Sequence, residues 1–133
     1  MIAGVADTHT ALWFLFGDAR LSAPAKAFIE TAAAQSHKIA LSPITLAEIV
    51  YLLEKSRLPI TAFDDLRAAL ANSNHGFEEA PFTADIVDAM RSVPRHAVPD
   101  MPDRIISATA IYLNVPVISR DSRIRVSGVS TIW

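Results

Sequence analysis

Three apolar runs that lack polar alternation, Ile2–Ala6, Ile39–Leu41 and Val115–Ser119, most constrain what this chain can fold into. A strand with one wet face alternates apolar and polar residues, whereas a strand covered on both faces does not. Between these runs lie segments with apolar residues at helical spacing, so strands and helices alternate along the chain. That order requires crossover connections and therefore parallel strands, with helices on both faces of the sheet. The expected architecture is a small α/β sandwich around a central parallel sheet.

Local signals place the helices. Residues 8–16 carry Leu12, Trp13, Leu15 and Phe16 and stop at Gly17-Asp18. Ser22 caps a helix through Gln35, with Pro24 in its first turn. Ser42-Pro43 joins a hydroxyl cap to a proline at the first helical position, and the helix beyond carries Ile44, Ala47, Val50, Tyr51 and Leu53. Thr61 opens a helix with Phe63, Leu66, Ala69 and Leu70, and Thr83 caps another through Met90. Residues 92–102 contain three prolines and read as loop. Asp103–Leu113 reads as helix, and Gly76–Pro81 and Ser130–Trp133 as further strands.

With 133 residues, 51% of them hydrophobic and 20% charged, the chain is expected to form one domain over residues 1–133 rather than a disordered segment. The absence of cysteine excludes a disulfide framework, a thiolate zinc site, an iron–sulfur cluster and a cysteine nucleophile together. It also suits a reducing compartment. No apolar run approaches the ~18–20 residues of a membrane span. The first residues lack a basic segment and meet Asp7 at once, unlike a signal peptide. A cytoplasmic domain with no membrane role is expected. The net charge of −2 offers no global attraction for nucleic acid. Beyond Asp103, however, Arg104, Arg120, Arg123 and Arg125 face a single acid, Asp121, so a polyanion would be favoured there. Mean hydropathy of +0.29 is high for so short a chain. With the apolar residues of the 62–70 helix, it predicts a surface covered by a second copy or a partner.

In open α/β sheets, ligands bind beyond the carboxyl ends of the strands. Asp7 follows the first strand, and Ser42 follows the second on a helix that presents Glu48. Asp100 and Asp103 open the helix that feeds the Val115–Ser119 strand, and Asp121 follows that strand. Each acid has a plain local reading. Asp100 caps the helix, Asp103 meets the favourable end of its dipole, Asp7 caps the short helix over residues 8–16, and Asp121 caps a short turn. Glu48 lies among Leu46, Ala47, Ile49 and Val50, where a lone carboxylate is costly unless paired or bound to metal. Local roles do not predict that all these acids share one edge of the sheet. Two carboxylates ~5 Å apart repel by about 3 kcal/mol at an effective dielectric of 20. Lys26, Lys38 and Lys55 all lie elsewhere in the sequence. Such an all-oxygen set selects a hard divalent ion, Mg²⁺ or Mn²⁺, and points to metal-dependent phosphoryl transfer or hydrolysis.

Other constellations are weak. The histidines show no metal-binding spacing, and of the four only His9 borders the acid edge. No glycine-rich phosphate loop or nucleophile elbow occurs. A response-regulator receiver needs an acidic pair after its first strand and a lysine after the last core strand. A haloacid-dehalogenase-type phosphatase needs a second aspartate where His9 stands. Neither pattern is met.

Ala6-Asp7-Thr8-His9 with Leu12-Trp13, the segment Ser42-Pro43-Ile44-Thr45-Leu46-Ala47-Glu48-Ile49, the segment from Asp100 to Ala110, and Ser119-Arg120-Asp121 resemble the PIN domain. They resemble most closely the VapC toxins of type II toxin–antitoxin systems, in the same order over essentially the whole chain. The resemblance implies a three-layer α/β/α sandwich with a parallel sheet of about five strands. It also implies a homodimeric Mg²⁺- or Mn²⁺-dependent endoribonuclease that is inhibited by a VapB-type antitoxin and reaches DNA only through that antitoxin. The family's acids map onto Asp7, Glu48, Asp103 and Asp121, with Asp7 and Asp103 foremost as metal ligands. Asp100 and Ser119 take supporting places. Arg104, Arg120, Arg123 and Arg125 are the candidate RNA contacts. Ser107 departs from the alanine more usual at its position, but no acid is missing. The alternative is a binding and oligomerisation module that acts with an antitoxin on operator DNA without significant catalysis.

Overall fold

The computed structural model describes residues 1–133 except the side chain of Val126. Strands β1 (Ile2–Ala6), β2 (Lys38–Leu41), β3 (Phe77–Glu79), β4 (Val117–Ile118) and β5 (Thr131–Ile132) form one sheet. All pairings are parallel, in the order β3-β2-β1-β4-β5. The chain builds outward from β1 through β2 to β3, then returns to the other side of β1 for β4 and β5. The reversal at β1 and β4 opens a crevice beyond their carboxyl ends, where such sheets bind ligands.

Helices α1 (Thr8–Leu15), α2 (Ala23–Ala34), α3 (Pro43–Glu54), α4 (Ala62–Ala71), α5 (Ala84–Ala89), α6 (Met101–Leu113) and α7 (Ser122–Val126) flank the sheet. Strand alternation divides the core into two layers. Ala6, Leu41 and Ile118 pack with Leu12, Ile29, Ile49 and Leu66 on one face. Val5, Ala40 and Val117 pack with Ile86, Val93, Ile106 and Ile124 on the other. Gly4 has a specific task in this layering. A Cβ there would stand 3.1 Å from a ring carbon of Phe28 and 3.2 Å from the carbonyl of Pro116, so glycine lets α2 sit close on β1. No helix of the described residues is long and apolar enough to cross a membrane.

The caps account for most boundaries. Ser22 accepts from the amide of Ala25 and Ser42 from that of Ile44, each with a proline in the first turn. Asn114, at φ 56°, closes α6 in the left-handed conformation asparagine tolerates. Thr61 and Thr83 precede helices as expected, but neither side chain makes a capping hydrogen bond. The helix expected from Asp103 begins at Met101, because Asp100 is the cap and Pro102 occupies the first turn, where a missing amide costs nothing. The strand expected over residues 115–119 contracts to Val117–Ile118.

Two expected apolar faces are corrected. On α3 the buried residues are Thr45 and Ile49, while Val50 and Tyr51 are exposed. The helix is turned so that Thr45 and Glu48 meet α1, which carries Val50 and Tyr51 outward. On α4 the apolar face is already buried through Ala62, Leu66 and Ala69, and Asp64, Asp65 and Arg67 face solvent. The large exposed apolar residues of this region are instead Val50, Tyr51 and Ile60.

Candidate active site

Asp7 is the joint between β1 and α1. Its position just past the strand gives it an extended backbone, and its Oδ1 caps α1 by accepting from the amide of Thr10 at 2.9 Å. Its Oδ2 accepts from the hydroxyl of Ser119 at 2.5 Å, at the end of β4. The same Ser119 oxygen accepts from the amide of Asp121 at 2.9 Å. Thr10 adds a second tie, donating through its hydroxyl to the Ile118 carbonyl at 2.8 Å. The two adjacent strand ends are thus locked together around a buried carboxylate.

Glu48 enters from α3. Thr8 Oγ1 donates to its Oε1 at 2.5 Å and lies 3.2 Å from Thr45 Oγ1. Burial raises the pKa of Glu48 above the ordinary glutamate value, with the nearby Asp100 and Asp7 pushing the same way, while the Thr8 hydroxyl opposes the rise.

Asp103 and Asp100 arrive together at the start of α6, where Asp100 Oδ2 accepts from the Asp103 amide at 3.3 Å. Burial, then repulsion from Asp100, Asp121, Glu48 and Asp7, pushes the Asp103 carboxyl up to about 7. Asp121 behaves differently. Burial raises its pKa, but hydrogen bonds from Arg123 outweigh it and hold the carboxyl below its ordinary value. Asp121 caps α7, accepting from the amide of Arg123 at 2.9 Å, and Arg123 Nη2 lies 3.2 Å from Asp121 Oδ2 and 4.0 Å from Asp103 Oδ2. As expected, no lysine among the described residues lines the cleft; the nearby cation is an arginine from the following turn.

These groups line one cleft of about 380 Å³, bounded by Asp7, Thr8, His9, Trp13, Glu48, Asp100, Asp103, Arg120, Asp121 and Arg123. All five acids named from the sequence reach it, and His9 borders it. The four arginines divide. Arg120 and Arg123 line the cleft, while Arg125 is exposed outside it. Arg104 turns away: its Nη2 donates to the carbonyls of Met90 and Val93 at 2.9 and 3.2 Å. Its guanidinium ties the segment before α6 to the helix, so Arg104, unlike Arg120 and Arg123, does not line the cleft.

The donor chemistry can be tested against a divalent ion. Among the described residues, no three His, Asp or Glu side chains are drawn together tightly enough to form a finished metal cage. Burial first, and then repulsion among the carboxylates, raises Asp103 and Glu48; Arg123 offsets the acids at Asp121, and His9 opposes the rise at Glu48. Hard oxygen donors under mutual repulsion fit Mg²⁺ or Mn²⁺ and do not fit a soft metal.

The model of the PIN domain matches residues 5–128. The chain belongs to the PIN domain family. Solved structures similar to this PIN domain include VapBC2 from Rickettsia felis bound to a DNA fragment from their promoter, at TM-score 0.69 and 16% identity over 98% of this chain and 97% of that one. A toxin–antitoxin complex from Klebsiella pneumoniae matches at TM-score 0.63 and 20% identity, covering 98% and 97%. FitAcB from Neisseria gonorrhoeae matches at TM-score 0.58 and 20% identity, covering 98% and 96%. At these identities the likeness is one of fold. Comparison with curated protein sequences gives no match.

Two features of the PIN domain site escaped the sequence. Thr8 and Thr45 support Glu48 from different helices, and nothing in their spacing announces that meeting. Trp13 reads as an ordinary core residue, yet its ring lies under the guanidinium of Arg120, with Cζ 4.9 Å from the centroid. An arginine directly beside an active-site acid was the available signal.

Proposed function

We propose that this PIN domain is a metal-dependent endoribonuclease, the toxin of a type II toxin–antitoxin pair, working as a single unit over residues 1–133. The observation that carries the reading is the meeting of Asp7, Glu48, Asp103 and Asp121 in one cleft at the carboxyl end of the sheet. Asp7 and Asp103 are the foremost candidates to hold Mg²⁺ or Mn²⁺, with Asp121 and Glu48 completing the set. The ion, when bound, supplies positive charge to the phosphate and makes water acidic enough to attack it.

The chain's own groups do the rest. Ser119 fixes the Asp7 carboxylate in one rotamer, and Thr8 holds Glu48 at the cleft edge, where it orients the attacking water or a second ion. Asp103, whose carboxyl burial and neighbouring acids push up to about 7, would have to ionise to hold a cation. Arg120 and Arg123 supply positive charge at the mouth of an otherwise acidic cleft, so that a polyanion is admitted.

An antitoxin partner is supported by solved structures of similar fold, among them a toxin–antitoxin complex. DNA would be reached through that antitoxin, and both proteins would act in the cytoplasm. The exposed Tyr51 and Ile60 suit a homodimer, for which light scattering should give twice the chain mass. The experiment that tests the activity is cleavage of RNA by the purified protein. It should require Mg²⁺ and be lost in Asp7→Asn. RNA left intact by folded wild type in Mg²⁺ would favour the alternative, a binding module that acts only with its antitoxin at operator DNA.

A further inference from the structure

The arginines around Trp13 and the acid cleft differ in how they are spent. Arg123 is bound to Asp121, and Arg104 to two backbone carbonyls. Arg20, which also lies over Trp13 with Cζ 5.2 Å from its centroid, is paired with Asp18 at 2.7 Å. Arg120 makes no hydrogen bond or ion pair among the described residues. Its side chain is exposed, lines the cleft, and lies over the Trp13 ring.

That arrangement fixes the group at both ends. Its backbone sits between Ser119, which is tied to Asp7 and to the Ile132 carbonyl, and Asp121, which caps α7. Its guanidinium rests on a ring that is itself buried and packed against His9 and Trp133, with centroids 5.5 and 5.8 Å away. A guanidinium stacked on an aromatic face keeps its edge N–H donors free, and that fork matches two oxygens of a phosphate. A long cation held in place before binding loses less freedom when a ligand arrives.

We propose that Arg120, held by Trp13, is a phosphate-binding residue that seats a backbone phosphate of single-stranded RNA at the cleft edge, beside the carboxylates. The inference rests on the nuclease reading for the identity of the substrate. Its logic is electrostatic. The cleft floor is acidic and repels phosphate, and part of the Arg123 guanidinium is already committed to Asp121. Arg120 supplies a cation that breaks no existing pair. A phosphate contact carries no base information, so the contribution is equal for every sequence.

The test measures affinity for fluorescently tagged oligo(U) and oligo(A) in an Asp7→Asn background with Mg²⁺, across a range of salt. Because cleavage is silenced, the comparison decides Arg120 even if wild type proves not to cut RNA. Adding Arg120→Ala should weaken both oligonucleotides by the same several-fold factor and reduce the salt slope by about 0.7, one single-strand phosphate contact. Arg120→Lys should restore the slope but only part of the affinity. Arg91→Ala, which removes an exposed arginine paired with Asp88, should change neither. Unchanged affinity and slope in Arg120→Ala would overturn the proposal, as would a loss confined to one oligonucleotide, which would mark a base contact. Full recovery by lysine would overturn the role of the Trp13 stack.

Discussion

The Ser119 hydroxyl donates to Asp7 Oδ2 at 2.5 Å across 112 residues of sequence, and its oxygen accepts from the Asp121 amide. One small side chain therefore sets two of the four candidate metal-holding acids. Its buried hydroxyl has no competing role in the described structure.

Ser119→Ala should remove both contacts and leave a backbone amide unsatisfied. A loss of about 1–3 kcal/mol in unfolding free energy is expected from denaturant melts. Metal-dependent cleavage should fall by about 10–100-fold, the usual cost of losing a group that orients a ligand. Full activity in a destabilised Ser119→Ala would separate the hydrogen bond from the chemistry.

Thr8 offers a parallel case with a built-in control. Thr8→Val keeps the volume but removes the donor to Glu48, so Glu48 should titrate still higher and the acid limb of the cleavage pH profile should move upward. Thr8→Ser should behave as wild type. A Thr8→Val pH profile that overlays wild type would deny Glu48 an ionised role.

The metal-free protein should lose stability as pH rises from about 4 to about 7. Asp103 titrates near 7 in the folded chain and near 3.8 when unfolded, so between these values the folded state holds the extra proton. Each step upward in pH then favours unfolding. Glu48, also raised, adds to the same trend. Asp121 is lowered, and its contribution is lost only in acid, as pH falls below the ordinary carboxylate range. Thermal melts in EDTA at pH 5 and pH 8 measure this. Wild type should melt lower at pH 8, and Asp103→Asn should flatten the difference.

Arg104→Ala tests whether that residue is structural rather than an RNA contact. Its two hydrogen bonds to carbonyls come from a charged donor, and their loss should cost about 1.5–3 kcal/mol. RNA affinity measured at a temperature where the variant is folded should be unchanged. A variant of wild-type stability that binds RNA poorly would return Arg104 to the substrate surface.

Much of this site was legible because its parts follow rules of position. Asp7 and Ser119 are the first polar residues after apolar strands, and Asp100, Asp103 and Asp121 stand where helix starts put acids. The parallel order then places all of them at one edge. What the sequence did not show depends on rotation and reach. The turn of α3 about its axis, which buries Ile49 and exposes Tyr51, is set by Thr8 and Thr45 meeting across helices. Arg104 and Arg123 carry the same charge and lie in the same cationic stretch, but one is consumed by the carbonyls of Met90 and Val93 and the other by its own helix cap. No count of charges separates them.

The central claim is that the acid cleft is a divalent-cation site, and calorimetric titration of Mn²⁺ into the purified protein tests it most directly. Wild type should bind Mn²⁺ with proton release near neutral pH, because Asp103 must ionise to accept the cation. Asp103→Asn should bind at least about tenfold more weakly, a loss of roughly 1.4 kcal/mol, and release fewer protons. Binding of equal strength in Asp103→Asn, or no binding by folded wild type at millimolar Mn²⁺, would contradict it.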